Sequence, residues 1–161
     1  MFANERHPDN PYRLTEEWGK WLSRFPWSHW ETLTFENQRY SARACFSAVA
    51  AYHRRLQRAG IKSRRFVVVE GDARTRLHVH TLAMLSWDRT VVPARAALSD
   101  GRALHRAAFP HWKDNFGRAQ ISPLGSDSVG ASIYVGKYVS KHAGSEWRFL
   151  PDDGWEPYLP S

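Results

Sequence analysis

Two runs, Arg65 to Glu70 and Arg76 to Leu85, are strand-like and largely apolar on both alternating faces, with Gly71-Asp72-Ala73-Arg74-Thr75 between them. Successive side chains on a strand point to opposite sides, so a strand with one wet face alternates apolar with polar. Here Val67, Val69, Val79, Ala83 and Leu85 fill one side, while Phe66, Val68, Leu82 and Met84 fall on the other. The pair therefore predicts an antiparallel β-hairpin at the centre of a sheet that is covered on both sides. The exceptions are concentrated at one end. Glu70, Arg76, His78 and His80 share a side with Phe66 and Leu82, and an antiparallel register brings Glu70 beside the two imidazoles.

The flanking sequence supplies the cover. A helix is expected from about Thr15, with Trp18, Trp21, Leu22 and Phe25 on one stripe and Pro26 closing it. Trp30 to Phe35 reads as a first strand, and Ser41 to Arg58 as a long helix with Ser41 as N-cap and Gly60 past its end. Residues 91–117 read as helix interrupted at Pro93 and Pro110, and Gly117 to Pro123 as a short strand ending at proline. A last helix is expected over Ser126 to His142, capped by Ser126, Asp127 or Ser128. The tail, Trp147 to Ser161, reads as an extended strap. No repeat, linker or low-complexity stretch divides the chain, so residues 1–161 are expected to form one domain of the α+β class.

A formal charge of +7 favours a polyanionic partner, because each phosphate neutralised releases condensed counterions. Eight Trp, six Tyr and eight Phe serve a core and also suit base stacking. Arg95, Arg102, Arg106 and Lys113, with Trp112 and Phe116, are expected to make a DNA-facing surface, and Arg74 and Arg76 add charge at the hairpin turn. A single cysteine, Cys45, excludes an internal disulfide framework and fits a reducing compartment, with the cytoplasm as the default. The segment from Met1 to Pro11 has no apolar core of a signal peptide, and no run of about eighteen apolar residues occurs, so neither secretion nor a membrane span is expected.

The chemistry-bearing residues form two groups. His78 and His80 on one strand face, joined by Glu70, offer two imidazoles and a carboxylate, which leave open positions on a divalent ion such as Mn²⁺ or Mg²⁺. In the last helix Tyr134 and Tyr138 stand at i and i+4, interleaved with Lys137 and Lys141. A phenol ionises near pH 10 and needs nearby positive charge to attack; metal and lysine would supply it and steady the charge of a phosphoryl transition state. Together they describe phosphoryl transfer through a covalent phosphotyrosine, with Lys137 as electrostatic helper and Lys141 on backbone phosphate or in solvent. Gly136 weakens this helix without a packing reason visible in the sequence.

The combination resembles the HUH endonucleases, metal-dependent single-strand DNA nickases named for His-hydrophobe-His. Glu31-Thr32-Leu33-Thr34-Phe35 is similar to the first motif of their replication initiators, His78-Val79-His80 to the second, and Tyr134-Val135-Gly136-Lys137-Tyr138 to the third, over roughly residues 30–142. The tyrosine motif follows the histidine motif, as in the replication (Rep) branch, and its two overlapping Tyr-x-x-Lys units resemble the two-tyrosine initiators. The resemblance implies a five-stranded antiparallel sheet of RRM or ferredoxin-like character flanked by helices, with Glu70, His78 and His80 on the metal and the tyrosine helix packed beneath. It implies nicking and rejoining of single-stranded or hairpin origin DNA through a 5′-phosphotyrosine, in rolling-circle replication of a plasmid or phage inside a prokaryotic host. No G-x-x-x-x-G-K-[ST] loop occurs, so unwinding would need a host helicase. The chain is shorter than many initiators, and the alternatives are an HUH transposase or a sheet that binds single strands without cutting them. A phosphoesterase with paired H-x-[ST] motifs is a further rival, and this chain lacks the pair.

Overall fold

The computed structural model describes residues 11–39, 41–71, 76–93, 104–125, 128–141 and 146–158. In chain order the elements are α1 (Pro11–Leu22), β1 (His29–Leu33), α2 (Ala42–Arg58), β2 (Ile61–Glu70), β3 (His78–Trp87), α3 (Leu104–Lys113), β4 (Ala119–Pro123), α4 (Ser128–Lys141) and β5 (Trp147–Leu150), with a short 3₁₀ turn at Glu156–Tyr158. The strands form one antiparallel sheet in the order β4-β1-β3-β2-β5. The β1-α2-β2-β3-α3-β4 segment, with its strands ordered 4-1-3-2, is the ferredoxin-like arrangement of an α+β fold. The tail is more than a strap, because Trp147–Leu150 adds the fifth strand along the outer edge of β2.

Alternation on the strands sorts the side chains into two cores. On one side Leu33, Ile61, Val67, Val69, Val79, Ala83, Leu85 and Ile121 pack under α2 and α3, meeting Phe46, Val49, Tyr52, Leu56, Ala108 and Trp112. On the other, Phe66, Val68 and Leu82 pack under α1 and α4 with Leu22, Phe25, Trp27, Val135 and Trp155. The central hairpin is thus covered on both sides, as its composition requires. Ser41 caps α2 by accepting a hydrogen bond from the Ala44 amide at 3.1 Å, and Gly60 turns the chain into β2 at φ +81°. Helix α1 begins one turn earlier than Thr15, with Pro11 at its first position, where a missing N–H has no cost. Residues 94–103 of the expected 91–117 helix lie outside the described residues, and Pro110 sits inside α3.

Gly136 has a packing reason that only the fold reveals. A Cβ there would lie 3.1 Å from Trp18 Cβ and 3.2 Å from the Thr15 carbonyl oxygen, and one on Gly19 would lie 2.9 Å from Ile133 Cα. The two glycines let α1 and α4 approach backbone to backbone, which presses α4 onto the sheet. Gly19→Ala is expected to separate the helices and cost about 1–3 kcal/mol, read as a lower denaturant midpoint at unchanged slope.

Candidate metal centre and tyrosine helix

The β2–β3 register pairs Glu70 with His78 and Val68 with His80, so the carboxylate and both imidazoles come to the face that α1 and α4 share. Glu70 Oε2 lies 3.0 Å from His78 Nε2 and 2.8 Å from His80 Nε2, and the three donor atoms fall within 4.8 Å of one another. His80 is nearly buried, with 6% of its side chain exposed against 30% for His78, so the cluster is anchored below and open above. Ligand bonds of about 2.1 Å meeting near right angles put neighbouring donor atoms about 3 Å apart, the spacing that Glu70 Oε2 keeps to each imidazole.

The outer ring nitrogens sharpen the fit. His78 Nδ1 stands 3.2 Å from the Arg76 carbonyl, which can only accept; in the neutral tautomer that donates there, Nε2 turns its lone pair toward Glu70 Oε2. His80 Nδ1 is held at 3.3 Å by Thr32 Oγ1 from the adjacent strand. In that tautomer a cation among the three atoms would join groups that otherwise repel. Two oriented imidazoles and one shared carboxylate oxygen make a donor set able to hold a divalent metal ion.

Helix α4 runs over the same sheet face, with Val135 in the core beneath it. Tyr134 is 45% exposed and meets the Trp30 ring edge-on, with centroids 6.1 Å apart. Trp30 and Thr32 alternate onto one face of β1, so the ring that meets Tyr134 and the hydroxyl that meets His80 stand two residues apart on the same strand face. Lys137 is exposed one turn from Tyr134. Tyr138 and Lys141 belong to the same helix, where only their backbone is described.

The expected DNA-facing surface divides. Arg76 is exposed beside His78, whereas Arg106 and Lys113 lie on α3, on the opposite side of the sheet from the Glu70, His78 and His80 cluster. Trp112 corrects the sequence reading outright: it is fully buried, and its indole N–H donates to the Thr34 carbonyl at 3.0 Å. Its basic neighbours gave a polar appearance to a helix whose tryptophan ring points inward. Phe116 packs against the same core. Arg74, Arg95 and Arg102 lie outside the described residues. Two site features escaped the sequence. Thr32 as the partner of His80, and Gln120 beside it on β4, depend on a strand register that no local pattern encodes.

Glu31, next to Thr32, faces the other core and is fully buried with Arg65, Tyr52 and Thr81. Burial alone pushes its carboxyl up, but the Arg65 guanidinium and hydrogen bonds from Arg65, Thr81 and Tyr52 outweigh this and hold it below the usual value. Burial pushes the Cys45 thiol up to about 11, so it offers no thiolate nucleophile near neutral pH.

Comparison with family models, curated proteins and solved structures gives no match to this chain. Among the described residues no helix is long and apolar enough to cross a membrane.

Proposed function

We propose that this protein is a metal-dependent endonuclease that nicks and rejoins single-stranded or hairpin DNA through a tyrosine nucleophile, as the rolling-circle initiator of a plasmid or phage. The observation that carries the reading is shared placement. Glu70, His78 and His80 lie on the sheet face covered by the helix bearing Tyr134 and Tyr138. A bound Mn²⁺ or Mg²⁺ would polarise the phosphoryl oxygens of the scissile group.

The phenol oxygen of Tyr134 or Tyr138 forms a bond to phosphorus as the bond to the 3′ oxygen breaks. The phenolic proton passes to solvent, and the departing 3′ oxygen takes one up. One ester replaces another, which leaves a 5′-phosphotyrosine and a free 3′-OH, so rejoining needs no nucleoside triphosphate. Lys137, one turn from Tyr134, neutralises charge that builds on the phosphoryl oxygens. The net charge of +7 favours the strand electrostatically. A host helicase would open the duplex in the cytoplasm of the host cell.

The test is a denaturing gel of full-length protein incubated with hairpin-bearing single strands and Mn²⁺. A covalent adduct is expected from the wild type. It should fall at least ~10³-fold in the Tyr134→Phe/Tyr138→Phe double variant, while each single variant shows which phenol attacks first. An undiminished adduct in the double variant, or none from the wild type across a randomised library, contradicts the proposal; binding without an adduct would make this a strand-binding sheet.

A further inference from the structure

We infer that the cavity beside Tyr134 seats one unpaired nucleobase of the bound strand, stacked on the indole of Trp30; the inference rests on single-stranded DNA being the partner. The cavity, of about 330 Å³, lies where α4 meets β1 and the end of β4, walled by Trp30, Pro123, Leu124, Ala131, Tyr134 and Val135. That volume is at the small end of the range of about 300–1,000 Å³ for small-ligand sites. No charged side chain lines it, so it is unsuited to a free phosphate or a cation, and its aromatic wall suits a flat, neutral ring.

Polar groups neighbour its Trp30 wall along β4. In the β1–β4 register Ser122 is opposite Trp30 and Gln120 opposite Thr32, and with Ile121 turned into the far core both project onto the metal face. They offer a hydroxyl and an amide to the hydrogen-bonding edge of a base whose face rests on Trp30. Thr32, two residues along β1, bonds His80, so a nucleotide whose phosphate lies at the metal centre has the cavity beside it for its base. The cavity then acts as a positioning site, fixing which phosphate comes to the phenol.

The probe is a short single strand of randomised sequence with 5-iododeoxyuridine in place of thymidine, irradiated with the full chain, with cross-linked peptides mapped by mass spectrometry. Cross-links are expected at Trp30 or Tyr134. Gly130 borders the cavity, is exposed, and precedes Tyr134 by one turn, so Gly130→Leu fills the cavity with a better helix former. This variant should lose the cross-link about tenfold or more and bind more weakly at every salt concentration, with the salt slope unchanged because phosphate contacts persist. Cross-links confined to other rings such as Trp147, or a Gly130→Leu variant that cross-links like the wild type, would overturn the inference. The two readings fail separately: a Trp30 cross-link without any covalent tyrosine adduct sinks the nickase and supports the base site, and an adduct with no Trp30 or Tyr134 cross-link does the reverse.

Discussion

His80→Ala is expected to lower metal-dependent cleavage by on the order of 10³-fold or more, because a Lewis acid supplies several kcal/mol of charge stabilisation to a phosphoryl transition state. His78→Ala and Glu70→Gln should act in the same direction, since the three donor atoms converge on one point and removing any of them leaves two. The pattern across variants separates a metal centre from a merely structural cluster. Thr32→Val keeps the shape of the side chain but removes the hydroxyl at His80 Nδ1, and should weaken Mn²⁺ binding about 10–100-fold. Lys137→Ala, on an exposed turn of α4, should slow cleavage without changing Mn²⁺ affinity. Free Mn²⁺ measured by electron paramagnetic resonance gives the affinities, and adduct formation gives the rates. Equal Mn²⁺ affinity in the wild type and the triad variants would remove the metal from the account.

Arg65→Met is the largest stability loss expected anywhere in the sheet. The guanidinium binds Glu31 through two bonds, Nε to Oε2 at 2.7 Å and Nη2 to Oε1 at 3.0 Å, and lies 4.5 Å over the Tyr52 ring. Both residues are essentially without solvent contact. Removing one partner strands a buried carboxylate and should cost about 3–5 kcal/mol, whereas Glu31→Leu/Arg65→Met should cost far less because no charge is left behind. The sign of the pH dependence is a second check. In the wild type Glu31 is held below its ordinary value of 4.5, so its contribution is present above that pH and is lost as pH falls through the folded value. In Arg65→Met burial acts on Glu31 without the guanidinium that offsets it, its carboxyl rises, and acidification from neutral pH relieves the variant. The stability gap between the two proteins, measured by urea unfolding, should therefore narrow as pH falls. A gap that widens would contradict the assigned pairing.

Residue pattern alone made the central hairpin legible, because strands apolar on both faces have few places to go. The Glu70, His78 and His80 grouping was legible for the same reason: period-two alternation and one hairpin loop fix their relative position. What lay beyond local pattern was everything that depends on which strands become neighbours. Thr32 meets His80 only because β1 inserts beside β3, and one motif, Glu31-Thr32-Leu33, splits between the two faces: Glu31 holds the far core together while Thr32 steadies the His80 imidazole. Trp112 was misread because basic neighbours masked a ring that α3 turns into the core. Gly136 looked like a weakness in its helix until α1 was seen pressed against it.

The most direct measurement is the anomalous signal of manganese in crystals of the protein grown with Mn²⁺ and a short single-stranded hairpin, using Tyr134→Phe/Tyr138→Phe to hold the strand uncut. One strong peak is expected among Glu70 Oε2, His78 Nε2 and His80 Nε2, with a backbone phosphate between that peak and the α4 side chains at positions 134 and 138. Manganese bound elsewhere, or a phosphate path on the α2–α3 side of the sheet, would contradict it.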